Sequence, residues 1–197
     1  MSVEQINEII VRDLYEDAYA RQTESPKKYK GKQLAHRMES MLYICPFCSA
    51  HDSMHSEKDK VECKECKQSF TYDEYGMLHG LEFDTVKALA AWQAGEMQKD
   101  VENGAVYTAD GARVSTVKDH TETFICEGAI SMSRDELKFG DITVPISEIS
   151  DLAMHGKYTL VLSVGKDYYE IVIPQTSNAY KFFIMYKELT ALTAVQK

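Results

Sequence analysis

The sequence contains Cys45-Pro46-Phe47-Cys48 and, after a gap of fourteen residues, Cys63-Lys64-Glu65-Cys66. A C-x-x-C turn brings two thiolates together on one tight loop. Two such turns that face each other supply four tetrahedral ligands for zinc, at Zn–S distances of about 2.3 Å. The spacing therefore predicts a zinc ribbon in which Cys45, Cys48, Cys63 and Cys66 hold one structural Zn2+.

Other interpretations of these cysteines fit the sequence less well. A redox C-x-x-C uses a single pair in a thioredoxin-like βαβ setting, whereas here two pairs flank a polar loop. His51 and His55 lie in that loop, and we expect them to be solvated because four thiolates already complete the tetrahedron. The position after each pair favours glycine, but Ser49 and Lys67 stand there, at a cost of about 1 kcal/mol each for a left-handed backbone. Four protein ligands leave no open coordination position, so the predicted zinc does no chemistry.

The residues before and just after the ribbon have helical periodicity. Ser2 and Gln5 fit a capping box, and an apolar stripe follows at helical spacing, which predicts a helix over residues 3–21. Pro26 and Gly31 interrupt it, and a second short helix is predicted over residues 33–42. A third is predicted over residues 84–101, where Asn103-Gly104 ends it.

From Ala112 onward the apolar period changes to two, which predicts short strands at residues 113–118, 123–133, 136–139, 142–145, 149–155, 158–164 and 168–173. A closing helix from about residue 177 has the apolar face Phe182, Met185, Tyr186, Leu189 and Leu192. The predicted fold is α+β: N-terminal helices, a four-cysteine zinc ribbon, and a small antiparallel, pleckstrin-homology-like β domain closed by a C-terminal helix. The predicted boundaries are 1–42 for a helical linker segment, 43–78 for the ribbon, 79–103 for a connecting helix and 104–197 for the β domain.

Charge and composition narrow the classes of partner. The formal net charge is −9, whereas a nucleic-acid-binding domain is usually basic, so we expect no nucleic-acid partner. The N-terminus lacks the basic and apolar regions of a signal peptide, and no apolar run approaches the length of about 18 residues that a membrane helix needs. We expect a cytoplasmic protein. The basic stretch at residues 27–32 is either a solvated linker or a peripheral contact with anionic lipid at the inner face of the membrane.

The ribbon and its surroundings resemble a known family. The residues that carry the resemblance are 42–48 (LYICPFC), 63–66 (CKEC) and 70–78 (FTYDEYGML), with 14–19 (LYEDAY) and 29–32 (YKGK) before them and 83–86 (FDTV), 92–93 (WQ), 144–146 (VPI), 154–156 (MHG) and 168–170 (YYE) after them. Together they resemble the zinc-ribbon tail of certain bacterial 1-acylglycerol-3-phosphate acyltransferases, members of the lysophospholipid acyltransferase family.

The resemblance implies a role in phospholipid biosynthesis without catalysis by this chain. In that family the catalytic His and Asp, spaced H-x-x-x-x-D, lie in a separate α/β domain that this chain does not contain. His79 and Asp84 match the spacing, but they fall where the ribbon ends and a helix begins, so we interpret the match as coincidence and assign no catalytic residue. The predicted function is a zinc-binding accessory region that supports or localises the acyltransferase by contact with its catalytic domain or another protein. The alternative is a free-standing zinc-ribbon and pleckstrin-homology-like module that binds a protein or a lipid headgroup.

Overall fold

The computed structural model describes residues 2–118 and 121–195, and for 192–195 the backbone alone. The side chain of Leu192, predicted on the apolar face of the last helix, therefore lies outside the described part. The α-helices are α1 (Val3–Leu14), α2 (Ala18–Glu24), α3 (Val86–Glu102) and α4 (Ala179–Val195). None of the helices in the described ranges is long and apolar enough to cross a membrane.

The N-terminal helical segment is broken where the sequence predicted a continuous helix over residues 3–21. The predicted capping box is present, because Ser2 Oγ accepts a hydrogen bond from the Gln5 N–H and the Gln5 side chain accepts one from the Ser2 N–H. Helix α1 nevertheless ends at Leu14, and Asp17 starts α2 by accepting a hydrogen bond from the Tyr19 N–H at 3.0 Å. An aspartate side chain competes in this way with helical hydrogen bonding, so the prediction of one helix was wrong.

The prediction of a helix over residues 33–42 is also wrong. Gln33 and Arg37 have φ angles of 63° and 62°, and a left-handed backbone at two positions prevents a continuous right-handed helix. Only a short 3₁₀ helix, Met38–Met41, forms. The segment lies against the ribbon, where the Ala35 N–H donates to the Lys58 carbonyl at 3.0 Å.

The ribbon is a four-stranded antiparallel sheet. Its strands are β1 (Met54–Glu57), β2 (Lys60–Cys63), β3 (Ser69–Tyr72) and β4 (Leu78–His79), in that spatial order. Buried and exposed side chains alternate along β2 and β3, and this alternation buries Val61 of β2 and Phe70 of β3. These side chains form a small core of their own with Leu42, Met54 and Leu89.

The C-terminal domain is a seven-stranded antiparallel sheet closed by α4. Its strands are β5 (Tyr107–Lys118), β6 (Thr121–Met132), β7 (Glu136–Phe139), β8 (Ile142–Pro145), β9 (Ile149–His155), β10 (Thr159–Val164) and β11 (Asp167–Val172). The spatial order is β8-β7-β6-β5-β11-β10-β9, so that β8 and β9 are the edges. Register shifts between β5 and β6 mark bulges, which bend a sheet and help it to curl. Phe182 and Met185 of α4 are fully buried in the core beneath the sheet, and the predicted α+β architecture is confirmed.

Helix α3 connects the two cores. It begins at the Thr85 cap, whose side chain accepts a hydrogen bond from the Ala88 N–H. Leu89, in its first half, belongs to the ribbon core, whereas Met97 and Val101, in its second half, belong to the core of the β domain. Trp92 contacts both cores.

Candidate metal centre

The four predicted ligands converge on one point. The Sγ atoms of Cys45, Cys48, Cys63 and Cys66 all lie within 4.8 Å of one another. Cys45 Sγ is 3.9 Å from Cys66 Sγ, and Cys48 Sγ is 3.8 Å from Cys63 Sγ. Four thiolates at about 2.3 Å from a tetrahedral zinc would be separated by ~3.8 Å. The cluster is therefore able to hold a metal ion, and its geometry fits the donor set that zinc prefers.

Two matching turns position the sulfur atoms. In the first, the Ser49 N–H donates to the Cys45 carbonyl at 2.9 Å, and in the second the Lys67 N–H donates to the Cys63 carbonyl at 3.0 Å. Ser49 and Lys67 have φ angles of 59° and 61°, which confirms the left-handed backbone expected at these two positions. The Phe47 N–H also points at Cys45 Sγ, 3.4 Å away, and such a donor stabilises a negatively charged sulfur.

The surroundings of the two buried sulfur atoms differ. Burial raises the pKa of the Cys45 thiol to about 12. Burial also acts to raise the pKa of Cys63, but hydrogen bonding with the Ser53 hydroxyl and with the N–H groups of Cys66 and Glu65 outweighs it and lowers the pKa to about 6. A metal ligand must be the thiolate, and the hydrogen bonds around Cys63 favour that form.

The other candidate ligands lie outside this cluster. His51 and His55 are exposed, and the His51 ring stacks on Tyr107 at a centroid distance of 5.3 Å. His79, of the H-x-x-x-x-D match, has its Nε2 atom 2.7 Å from an oxygen of Asp73. The partner residue of the motif, Asp84, contributes its backbone carbonyl to the Leu78 N–H.

A buried glutamine ties the metal centre to α3. Gln93 is 2% exposed, and its side-chain oxygen accepts a hydrogen bond from the Tyr43 N–H at 3.1 Å. Its amide nitrogen donates to the Met41 carbonyl at 3.1 Å, and the Tyr43 hydroxyl donates to the Gln93 carbonyl at 2.6 Å. Residue 43 precedes the first metal-binding turn by two positions, so Gln93 fixes the approach to that turn. No sequence pattern indicated this role.

A second set of polar contacts joins the ribbon to α4. Lys181, only 3% exposed, forms an ion pair with Asp52, and the Ser177 hydroxyl donates to the same carboxylate oxygen at 3.1 Å. Asn178 donates to the Glu39 carbonyl at 2.8 Å. The sequence analysis missed all of these contacts, because a single lysine on an amphipathic helix is typical of a solvated residue. They hold the loop between the C-x-x-C pairs against the β domain.

The basic stretch at residues 27–32 is exposed but attached to the ribbon. The Lys28 ammonium pairs with Glu74 and lies 5.4 Å from the centre of the Tyr75 ring. Gln22 accepts a hydrogen bond from the Lys27 N–H at 3.0 Å and donates to the Lys27 carbonyl at 2.7 Å. The ion pair with Glu74 offsets part of the positive charge that this stretch would offer to an anionic surface.

No protein-family model matches the chain, and no curated protein matches it significantly.

Proposed function

We propose that Cys45, Cys48, Cys63 and Cys66 bind one structural zinc ion, and that the chain is a non-catalytic accessory module organised around it. The observation that carries this proposal is the convergence of four sulfur atoms within 4.8 Å, with two sulfur–sulfur distances of 3.8 and 3.9 Å. Four-thiolate sites are the usual structural zinc sites, since they leave no position for water or substrate. The ribbon core is small, and a metal ion stabilises folds of this size that lack a large core.

The first test is the metal content of the chain. Mass spectrometry of the purified full chain should give about one zinc per chain, and the Cys63→Ser variant should retain markedly less. Cys126→Ser is the matched control, because Cys126 lies in β6, outside the cluster, and it should keep a full complement. A chain without zinc whose four cysteines cycle between dithiol and disulfide would overturn the proposal.

We further propose that the partner of this module is an acyltransferase of phospholipid biosynthesis, of the 1-acylglycerol-3-phosphate acyltransferase type. The resemblance of the ribbon and of the segments around it supports this assignment. The module would then support the catalytic domain or hold it near the membrane, where Lys27, Lys30 and Lys32 offer basic side chains. These lysines lie in the exposed stretch beside the ribbon.

Binding and activity measurements separate this assignment from its alternative. The zinc-loaded chain should bind the isolated catalytic domain of such an acyltransferase in a calorimetric titration, and alone it should transfer no acyl group to 1-acylglycerol-3-phosphate. Absence of binding would overturn the assignment and favour a free-standing interaction module.

A further inference from the structure

Helix α1 carries an apolar stripe that is exposed to solvent along its whole length. Every residue from 2 to 16 is exposed, and α1 has no buried residue. The stripe consists of Ile6, Ile9, Ile10 and Leu14, which are between 37% and 78% exposed. A helix of twelve residues is marginal on its own in water, and packing of its apolar side is what stabilises such helices. We therefore expect the stripe to pack against a partner.

The connection between α1 and α2 is attached to α3. Only residues 15–17 separate the two helices. The Tyr15 hydroxyl lies 3.4 Å from the Lys87 ammonium, the same ammonium pairs with Asp17, and Asp17 also caps α2. Both ends of this short connection thus contact the same ammonium group of α3, which restricts the directions in which α1 can leave α2.

The same chain offers an unoccupied groove of about 880 Å³ on its surface. This groove, which we call the β9–α4 groove, runs between the edge strand β9, helix α4 and the segment at residues 34–41, and Tyr19 of α2, Tyr72 of β3 and Val86 of α3 also line it. Its apolar lining includes Leu34, Met38, Met41, Met154, Tyr180 and Phe183. Met41 is 45% exposed, and β9 has no neighbour on its outer side in the described sheet. An exposed sheet edge beside an apolar groove is a common site of protein docking.

The groove is basic in an acidic protein. Its lining contains Arg37, Lys157 and Lys187, with Asp151 as the one carboxylate among the described lining residues. The stripe of α1 contains a matching carboxylate, because Asp13 follows Ile9 by four residues and Ile10 by three and therefore lies on the same side of the helix. Among the described residues, Asp13 forms an ion pair with its exposed neighbour Arg12 alone. An apolar helix side with one acid thus fits an apolar groove with a basic lining.

We propose that α1 of a second copy of this chain occupies the β9–α4 groove, so that two copies exchange their N-terminal helices reciprocally. The groove of each copy then buries the apolar stripe of the other copy, and the reciprocal exchange gives a closed, symmetric dimer. A lipid surface fits α1 less well, since its opposite side carries Glu4 and Glu8 with a single basic residue, Arg12, whereas helices that lie on membranes usually have several Lys and Arg there. This inference stands apart from the zinc proposal, because none of the residues involved is a metal ligand.

Light scattering coupled to size-exclusion chromatography tests the proposal on the full zinc-loaded chain. We expect the unaltered chain to be a dimer. Ile9→Glu/Ile10→Glu, in the helix, and Met41→Glu, in the groove, should each give monomers. The matched controls should remain dimeric: Val11→Glu changes an exposed residue of α1 away from the stripe, and Val106→Glu changes an exposed residue that does not line the groove.

Mixing the two monomeric variants gives the decisive result. The helix variant retains an intact groove and the groove variant retains an intact helix, so the mixture should form a heterodimer through one helix–groove contact, although neither variant dimerises alone. An unaltered chain that stays monomeric would overturn the proposal. So would a dimer that survives Met41→Glu, since it would indicate pairing of two α1 helices with each other. Zinc content measured on each variant confirms that the fold is intact.

Discussion

Gln93 and Tyr43 bind each other twice across fifty residues of sequence, once through the Gln93 side-chain oxygen and the Tyr43 N–H at 3.1 Å and once through the Tyr43 hydroxyl and the Gln93 carbonyl at 2.6 Å. Burial raises the pKa of Tyr43 far above its usual value, so the hydroxyl stays protonated and remains a donor. This pair anchors the segment leading to Cys45 onto α3, and α3 in turn packs on the β domain. The metal centre is thereby attached to the larger of the two cores.

Replacement of Gln93 by leucine should destabilise the whole chain. The variant leaves the Tyr43 N–H buried without its partner, which costs about 1–3 kcal/mol, and it also removes the part-buried hydrogen bond to the Met41 carbonyl. We expect the free energy of unfolding in urea to fall by about 2–4 kcal/mol. Gln98→Leu is the control, because Gln98 lies on the exposed side of the same helix, and it should change stability by less than about 0.5 kcal/mol. Equal effects of the two variants would contradict the anchoring role.

The buried ion pair between Lys181 and Asp52 leads to a second prediction. Asp52 Oδ1 is buried and has no hydrogen-bond partner among the described residues, so the carboxylate depends on Lys181 for compensation of its charge. Removal of one partner of a buried pair costs about 3–5 kcal/mol, and we expect Lys181→Met to lose about 3 kcal/mol of unfolding free energy, measured in urea.

Two further variants separate the charge effect from packing. Asp52→Asn/Lys181→Met should be more stable than Lys181→Met, because it removes the uncompensated charge, and asparagine tolerates the φ of 51° at residue 52. Lys99→Met breaks an exposed pair with Glu96 and should have almost no effect, since surface pairs contribute at most about 1 kcal/mol. A double variant less stable than the single variant would indicate that the lost contact, and not the charge, sets the stability.

The left-handed residues of the metal-binding turns give a third prediction. Glycine adopts positive φ without a Cβ clash, so Ser49→Gly and Lys67→Gly should each raise the zinc-saturated melting temperature, by an amount that corresponds to about 0.5–1 kcal/mol. Lys64→Gly is the control, because residue 64 is not among the positive-φ positions, and there glycine should lower the melting temperature. If both turn variants melt below the unaltered chain, the backbone at these positions is not strained.

The sequence was most informative where one physical rule dominates. Paired cysteines at a fixed spacing predicted the cluster. Alternation of apolar residues predicted the strands of the β domain, and β7, β8 and β9 begin and end at the predicted residues. Both patterns reflect local constraints, the reach of a thiolate in one case and the pleat of a strand in the other.

Prediction failed where a side chain competes with the backbone or acts at long range. Asp17 starts α2 by accepting hydrogen bonds from the N–H groups of Tyr19 and Ala20. The helical periodicity of the sequence does not reveal this break, because Ala18 continues the pattern. The contacts of Gln93 and Lys181 join residues fifty or more positions apart, and nothing in the local sequence distinguishes these side chains from solvated ones. The β9–α4 groove is likewise a product of tertiary packing.

Metal removal should disturb part of the β domain as well as the ribbon. Tyr43 and Ile44 directly precede Cys45, and both belong to the core of the β domain together with Met97 and Val101. A ribbon that unfolds without its metal withdraws these two side chains from that core. Hydrogen exchange after chelation should therefore accelerate in residues 43–72 and in the second half of α3.

The far side of the sheet provides the internal control for this experiment. Strands β7 and β8 pair with each other and, through β7, with β6, so their amides should keep their protection after the chelator is added. Addition of zinc should restore slow exchange in the ribbon and in α3 together, because a common core joins them. Acceleration confined to residues 45–66 would show that the ribbon unfolds independently, and it would contradict the coupling through Tyr43 and Ile44.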